Sequence, residues 1–289
     1  MSDLMENIKN LREITGAGFL DCKKALEENN NNIENSIDFL RKKGLAKAIK
    51  KSTREANEGA IGVYSNNFKT IVLEVNTETD FAAKNEVFLD FLDRLGNYLL
   101  SEENINIITT ESFLKMSFEN KKISDHFTDI IAKVGENIVL KKIQVYLKDK
   151  GTEIYNYTHN TYRPNIGKIC SILKVELNKA NEETAKFGKN LCMHIAASKP
   201  LAIDKDDLDI NLIKKEEEVQ LASINSSGKP KEIIEKILKG KMNKFFSEVT
   251  LLNQAFIFDT EKNVSQAISE FSSENSFKID KYELFILGS

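Results

Sequence analysis

The sequence predicts an α+β protein. It reads as a small three-helix N-terminal domain, two related α+β subdomains with antiparallel sheets, and a projecting antiparallel coiled-coil hairpin. Three observations predict this. The first 45 or so residues, before any strand pattern, carry only helical periodicity. A block of strand, polar joint and amphipathic helix occurs at 71–100 and returns from Cys170 onward, the pattern of an internal duplication. A Lys/Glu-rich stretch at 207–247 has a sparse apolar stripe, as two helices paired along a narrow seam require. The expected boundaries are 1–55 for the N-terminal helices with a basic linker helix, 56–147 for the first subdomain and 148–289 for the second.

A chain of 289 residues allows two domains and a sizeable core. Its 41% hydrophobic and 29% charged residues suit a soluble globular protein, and a formal net charge of −3 gives no global pull toward nucleic acid. Cys22, Cys170 and Cys192 have no CxxC spacing, which points to reduced thiols in a cytoplasmic protein. The N-terminus lacks an apolar signal core and the Arg-rich character of a transit peptide. No apolar run approaches the ~18 residues of a membrane span.

Taken in order, Leu4, Ile8 and Leu11 mark a first helix, and Thr15 to Gly18 interrupt it. Phe19, Cys22, Ala25 and Leu26 mark a second helix. Asn29 to Asn32 end that helix and can cap the next, which carries Ile33, Ile37 and Leu40 and is expected to close at Gly44. Arg12, Phe19 and Leu20 cannot all be buried in so small a bundle, which leaves a shared core and a docking patch as alternatives. Arg41, Lys42, Lys43, Lys47, Lys50, Lys51 and Arg54 form a basic linker helix. They are a solvated face or, as the alternative, an RNA-binding surface, although no aromatics are interleaved to stack on bases. A hairpin follows, with a two-residue left-handed turn expected at Asn66 and Asn67.

Ile71, Leu73 and Val75 alternate with Glu74 and Asn76, the pattern of a half-buried strand. Thr77 to Asp80 break it, Phe81 stands among polar neighbours, and helical spacing begins at Phe88, Leu92, Leu95 and Leu99. Phe81 is open to two readings: a staple under the first helical turn, or an anchor offered to another protein. Later come a helix around 127–133, strands near 138–145, 153–157 and 166–177, and a helix carrying Phe187, Leu191, His194 and Ile195. A turn is expected at Ser226 to Pro230. Strands are expected at Glu248 to Phe258 and Ser276 to Leu287, around a helix at Val264 to Phe271.

No reacting constellation assembles. His126, His159 and His194 are scattered, no glycine pattern cradles a phosphate, and Cys192 and His194 lie on different helix faces. A thiol transferase using Cys192 is the enzymatic alternative. The positive features are surfaces and projections, which favour a protein-binding module; no catalytic residue, metal or cofactor is expected.

Leu11-Arg-Glu-Ile-Thr-Gly-Ala-Gly-Phe-Leu-Asp-Cys-Lys-Lys-Ala-Leu26 and Leu73-Glu-Val-Asn-Thr-Glu-Thr-Asp-Phe-Ala-Ala-Lys-Asn85 resemble segments of the bacterial elongation factor Ts family. Val134-Gly-Glu-Asn-Ile138, Met193-His-Ile-Ala-Ala-Ser-Lys-Pro200 and Ser227-Gly-Lys-Pro230 add to the resemblance, which covers essentially the whole chain in order. It implies a ubiquitin-associated-like N-terminal domain and guanine-nucleotide exchange on elongation factor Tu during translation elongation. It also implies that Thr79, Asp80, Phe81 and Ala82 wedge into the partner's GTPase domain and dislocate its magnesium. Arg12, Phe19 and Leu20 would dock on that domain. Met193, His194, Ile195, Ala196 and Ala197, with Ile257 and Phe258, would grip a distal domain, although His194, Ile257 and Phe258 could equally be subdomain core. The alternative is a helical and coiled-coil interaction module with an RNA-binding linker.

Three departures from the family pattern stand out. The usual Tyr-x-His-Gly-Gly-Arg-Ile-Gly stretch is longer here, running from Tyr157 to Gly167 without paired glycines, so a rebuilt turn is expected. The usual Gln-Pro-Phe is Gln254-Ala-Phe256. The chain ends at Ser289, where longer members add a helical module that touches the partner, so one contact is expected to be missing.

Overall fold

The computed structural model describes residues 2–103, 109–225 and 230–289. It divides into two compact units. The first comprises Met1–Leu147, Asn160–Lys168 and Ile286–Ser289; the second comprises Lys148–His159 and Ile169–Phe285.

The first unit opens with helices α1 (Ser2–Thr15), α2 (Phe19–Glu28) and α3 (Ile33–Lys51). Ile8, Leu11, Cys22, Ala25 and Leu26 are buried between them. The joints follow from residue type. Gly16 leaves α1 at φ +66°, Asn30 and Asn31 adopt positive φ, and the Asn32 side chain caps α3 by accepting from Asn35 N at 2.9 Å.

Gly44 does not close the third helix as expected. α3 continues through it and takes in most of the basic linker. Gly44 serves packing instead: a Cβ there would lie 3.3 Å from the Ala132 methyl of α7 (Ile123–Val134), so the glycine lets two helices approach closely.

The sheet of this unit pairs β1 (Glu58–Ser65), β2 (Lys69–Thr77) and β5 (Ile138–Leu147) antiparallel, with the first residues of β7 (Ile166–Glu176) beside β1. A short turn of helix, α4 (Asp80–Ala83), leads into α5 (Glu86–Ser101), which packs Phe88, Leu92 and Leu95 over Ile71, Leu73 and Val75. α6 (Thr110–Lys115), β3 (Ser117–Phe118) and β4 (Lys121–Lys122) lead into α7.

Two expectations need correction here. All nine residues of β2 are buried, not one face only; even Glu74 is covered, accepting from Gly288 N at 3.3 Å. Asn66 and Asn67 do not form a left-handed pair. The Asn66 carboxamide oxygen accepts from Phe68 N at 2.8 Å and Lys69 N at 2.9 Å, so the side chain closes the turn in place of a positive φ.

In the second unit β7 lies between β6 (Thr152–Arg163), whose last residues belong to the first unit, and β10 (Lys278–Ile286). Helix α8 (Glu182–Ser198) buries Leu191 and Ile195 against Leu173, Val175 and Phe277. Phe187 stacks on Phe271 of α11 (Val264–Asn275), with ring centroids 4.2 Å apart. Helices α9 (Ile210–Asn225) and α10 (Lys231–Val249) run side by side, with Lys241 Nζ donating to Ser223 Oγ at 2.8 Å. The turn and motif expected at Ser226 to Pro230 lie outside the described residues, except Pro230 at the start of α10.

The strand expected over Glu248 to Phe258 is mostly absent. α10 persists to Val249, Thr250 makes a single parallel bridge with Ala202, a 3₁₀ turn occupies Leu251–Asn253, and β8 (Ala255–Phe256) pairs with β9 (Asp259–Asn263). Leu251 is spent on the core rather than on a ladder. β6 extends well beyond Tyr157, and the chain reverses at Pro164 and Asn165, the latter at φ +66°.

Candidate functional site

The joint between β2 and α5 is built by four residues that each make a distinct contact. Thr77 Oγ1 donates to Thr79 O at 2.8 Å and ends the strand. Glu78 turns back toward the body, where Oε1 accepts from Asn137 N at 2.6 Å and the carboxylate meets Arg54. Thr79, in extended backbone, caps α4, with Oγ1 accepting from Ala82 N at 3.3 Å. The same residue donates twice to Glu136, from N to Oε2 at 3.0 Å and from Oγ1 to Oε1 at 2.7 Å. Asp80 pairs with Lys84 Nζ at 2.8 Å, and that hydrogen bond holds its carboxyl below the ordinary carboxylate value.

Ala82 and Ala83 are buried, and Asn85 caps α5 by accepting from Val87 N at 2.9 Å. Because successive residues of one helical turn point in different directions, burying Ala82 and Ala83 sends Phe81 outward. It is 82% exposed, the most exposed large hydrophobic side chain among the described residues, and so does not pack beneath a helical turn.

The other site residues fall into two groups. In the first unit Arg12 and Leu20 are exposed and Phe19 is at the edge of exposure. In the second unit Ala197 is exposed and Met193 half-buried, while His194, Ile195 and Ala196 face the interior. These last three therefore offer no free surface, contrary to a direct grip by all five residues. His194 donates from Nε2 to Gln254 Oε1 at 3.0 Å and accepts on Nδ1 from Ile257 N at 3.4 Å. Gln254 in turn donates to Ser198 O and Glu248 O. Burial pushes the imidazole pKa below its ordinary 6.5, so the ring is neutral and braces the loop that displays Ile257 and Phe258 at 40% and 50% exposure.

Residue spacing gave no role to Glu136 and Asn137, which come to the joint from 57 and 59 residues away. The only signal was their place in Val134 to Ile138. Arg163, in the stretch that departs from the family pattern, pairs with Asp90 at 2.9 Å, Asp93 at 2.8 Å and Glu86, all on α5. The three thiols are buried, and burial raises each above its ordinary value, away from the thiolate a nucleophile needs. Among the described residues, no helix is long and apolar enough to cross a membrane.

Comparison with known proteins shows the family. The family model described as Elongation factor TS matches residues 78–289. An Elongation factor Ts of Bartonella henselae is 38% identical over 290 residues, covering 100% of this chain and 94% of its own length. One of Rickettsia prowazekii is 40% identical over 284 residues, covering 97% and 90%, and one of Rhizobium etli is 40% identical over 264 residues, covering 91% and 84%. With a family model over most of the chain and relatives aligned along nearly all of it, the chain belongs to the elongation factor Ts family.

Proposed function

We propose that this protein is a guanine-nucleotide exchange factor that releases GDP from elongation factor Tu in the cytoplasm during translation elongation. In this reading Thr79, Asp80, Phe81 and Ala82 form a wedge that enters the GTPase domain and dislocates its magnesium. The observation that carries the reading is Phe81, 82% exposed on a turn whose neighbours Ala82 and Ala83 are buried. The ring stands outside the core on a turn whose base is fixed, where it is free to fill a pocket of a partner as an aromatic anchor does.

The requirement is a coupling free energy. A factor that speeds nucleotide loss must bind the nucleotide-free partner more tightly than the loaded one, and each ligand weakens the other by the same factor. A differential of about 5.5 kcal/mol corresponds to about 10⁴-fold. A buried aromatic anchor can supply about 2–4 kcal/mol of it, and loss of a coordinated magnesium removes the charge that held the phosphates. Neither step needs an acid, base or nucleophile in this chain.

Arg12, Phe19 and Leu20 would dock on the same domain, with the three N-terminal helices acting as the ubiquitin-associated-like module. Met193, Ala197, Ile257 and Phe258 would touch a distal domain, with His194, Ile195 and Ala196 supporting them from inside. The α9–α10 pair would be the coiled-coil projection, and the chain would divide functionally at 1–55, 56–147 and 148–289. The RNA-binding alternative is weakened because five of the seven linker cations already have partners: Arg41 on Asp125, Lys43 and Lys47 on Asp21, Lys51 on Gly135 O and Arg54 on Glu78. The test is release of labelled GDP from purified elongation factor Tu with and without this chain. No acceleration at any concentration would end the reading.

A further inference from the structure

The four-residue α4 is too short to hold its own direction, since a single helical turn is marginal in water. Phe81, being exposed, contributes no packing that would fix its angle. The direction of the ring is therefore set at the base of the turn. There Thr79 Oγ1 is used both ways, accepting from Ala82 N as the helix cap and donating to Glu136 at 2.7 Å. Capping needs only the first bond. The second, with the parallel Thr79 N to Glu136 bond at 3.0 Å, fixes both the backbone and the rotamer of the capping residue.

Glu136 is itself placed by structure. Gly135, at φ +86°, turns the chain from α7 into β5, and the Lys51 ammonium donates to its carbonyl. The next residue, Asn137, donates to Glu78 Oε1 and, from its carboxamide, to Arg54 O at 2.8 Å. The strand-to-helix joint of the second unit uses local caps instead: Asn181 and Thr184 cap each other within the first turn of α8. A carboxylate reaching across the fold to grip a cap is thus a feature of the joint that displays an aromatic ring.

We propose that Glu136 is a positioning residue for nucleotide exchange: by holding Thr79 through two hydrogen bonds, it sets the angle at which Phe81 meets the partner. This rests on the exchange-factor reading above. Glu136 touches neither nucleotide nor metal in this scheme and acts through Thr79. Its loss should therefore lower the rate at which a formed complex expels GDP, with little effect on how much complex forms.

The experiment titrates elongation factor Tu loaded with labelled GDP with the full-length chain carrying Glu136→Gln or Glu136→Ala. The amide side chain keeps one acceptor and the methyl keeps none. The saturating rate should fall about threefold for Glu136→Gln and about tenfold for Glu136→Ala, the lower end of the scale for the net loss of one and of two ordinary hydrogen bonds. The half-saturating concentration should move by less than about twofold in both. Amide hydrogen exchange at Thr79 and Ala82 in the unbound chain should quicken in the same order. Saturating rates equal to wild type would overturn the proposal, even if amide exchange quickened. A fall in rate matched by an equal rise in half-saturating concentration and a lower thermal midpoint would overturn it too, by returning Glu136 to a structural role. A wild-type chain that releases no GDP would sink the exchange-factor reading itself, an outcome distinct from both.

Discussion

The molecule makes the same strand-to-helix passage twice, and the two passages differ in what they put on the surface. In the first unit β2 enters α5 through α4, a helical turn that buries two alanines and turns Phe81 out to solvent. In the second, β7 enters α8 through Leu177 to Asn181, where Leu177 is buried and the exposed residues are Asn178, Lys179, Ala180 and Asn181. The frame behind both joints is alike. Tyr64 lies against Gly96 of α5 and Tyr155 against Gly188 of α8, each ring occupying the space where a Cβ would stand. The shared frame is a packing solution, and the added turn joins it only through Ala82 and Ala83, leaving its aromatic ring in solvent where packing does not use it. A side chain displayed in one copy and unused by the packing is where function is to be sought.

The comparison breaks most directly at Phe81. Phe81→Ala should cut the saturating rate of GDP release by about 30-fold or more, from the ~2 kcal/mol or more carried by an aromatic anchor. Its stability to denaturant should stay within about 0.5 kcal/mol of wild type, as for other exposed substitutions. Equal losses in both measurements would make the first joint a packing element like the second.

The shared frame is tested at its glycines. Gly96→Ala and Gly188→Ala each place a methyl where an aromatic ring sits, so each should lower unfolding free energy by about 1–3 kcal/mol despite the better helix propensity of alanine. If one is tolerated and the other is not, the two frames are less alike than their geometry.

If Asp80 acts as proposed, Asp80→Asn should reduce exchange about threefold to tenfold by weakening its polar interaction with the partner. Unfolding should be unchanged, because the Asp80–Lys84 pair is exposed. Full exchange activity in this variant would confine the first joint's work to its aromatic ring.

The smallest effect expected is one of pH, and it belongs to the second unit. α8 buries His194 with its pKa pushed down, whereas the buried positions of α5 are apolar apart from Gly96. The unfolded chain binds a proton at this site more readily than the folded one. Stability from His194 is therefore complete above its ordinary 6.5 and declines as pH falls below that value. Thermal unfolding followed from about pH 7.5 to about pH 5 should show this decline, and His194→Gln should flatten it.

Most of the first joint could be read in the residues themselves. Alternation over Ile71 to Val75, the break at Thr77 and the helical spacing from Phe88 bracket the place where Phe81 stands. Periodicity reports which residues share a face, but not what covers that face. Hence β2 looked half-buried while the fold covers it on both sides, and His194, open to either a core or a surface reading, is enclosed by the fold. The misjudged ends have the same origin. A glycine reads as a stop until a neighbouring helix needs its missing side chain, as at Gly44. An Asn pair reads as a left-handed turn until one carboxamide closes the turn itself, as at Asn66.

Amino-acid order alone settled the helical start of the chain, the strand–joint–helix passages, and a lone aromatic residue between two polar segments, because these depend on neighbours a few positions apart. Tertiary structure decided that this residue points outward. It also brought Glu136 and Asn137 from a distant turn to brace the joint, and it decided between the two readings of His194, making it an internal brace. Local preference is short-ranged, whereas burial and the partners of a polar group are set by segments that meet only when the chain has folded.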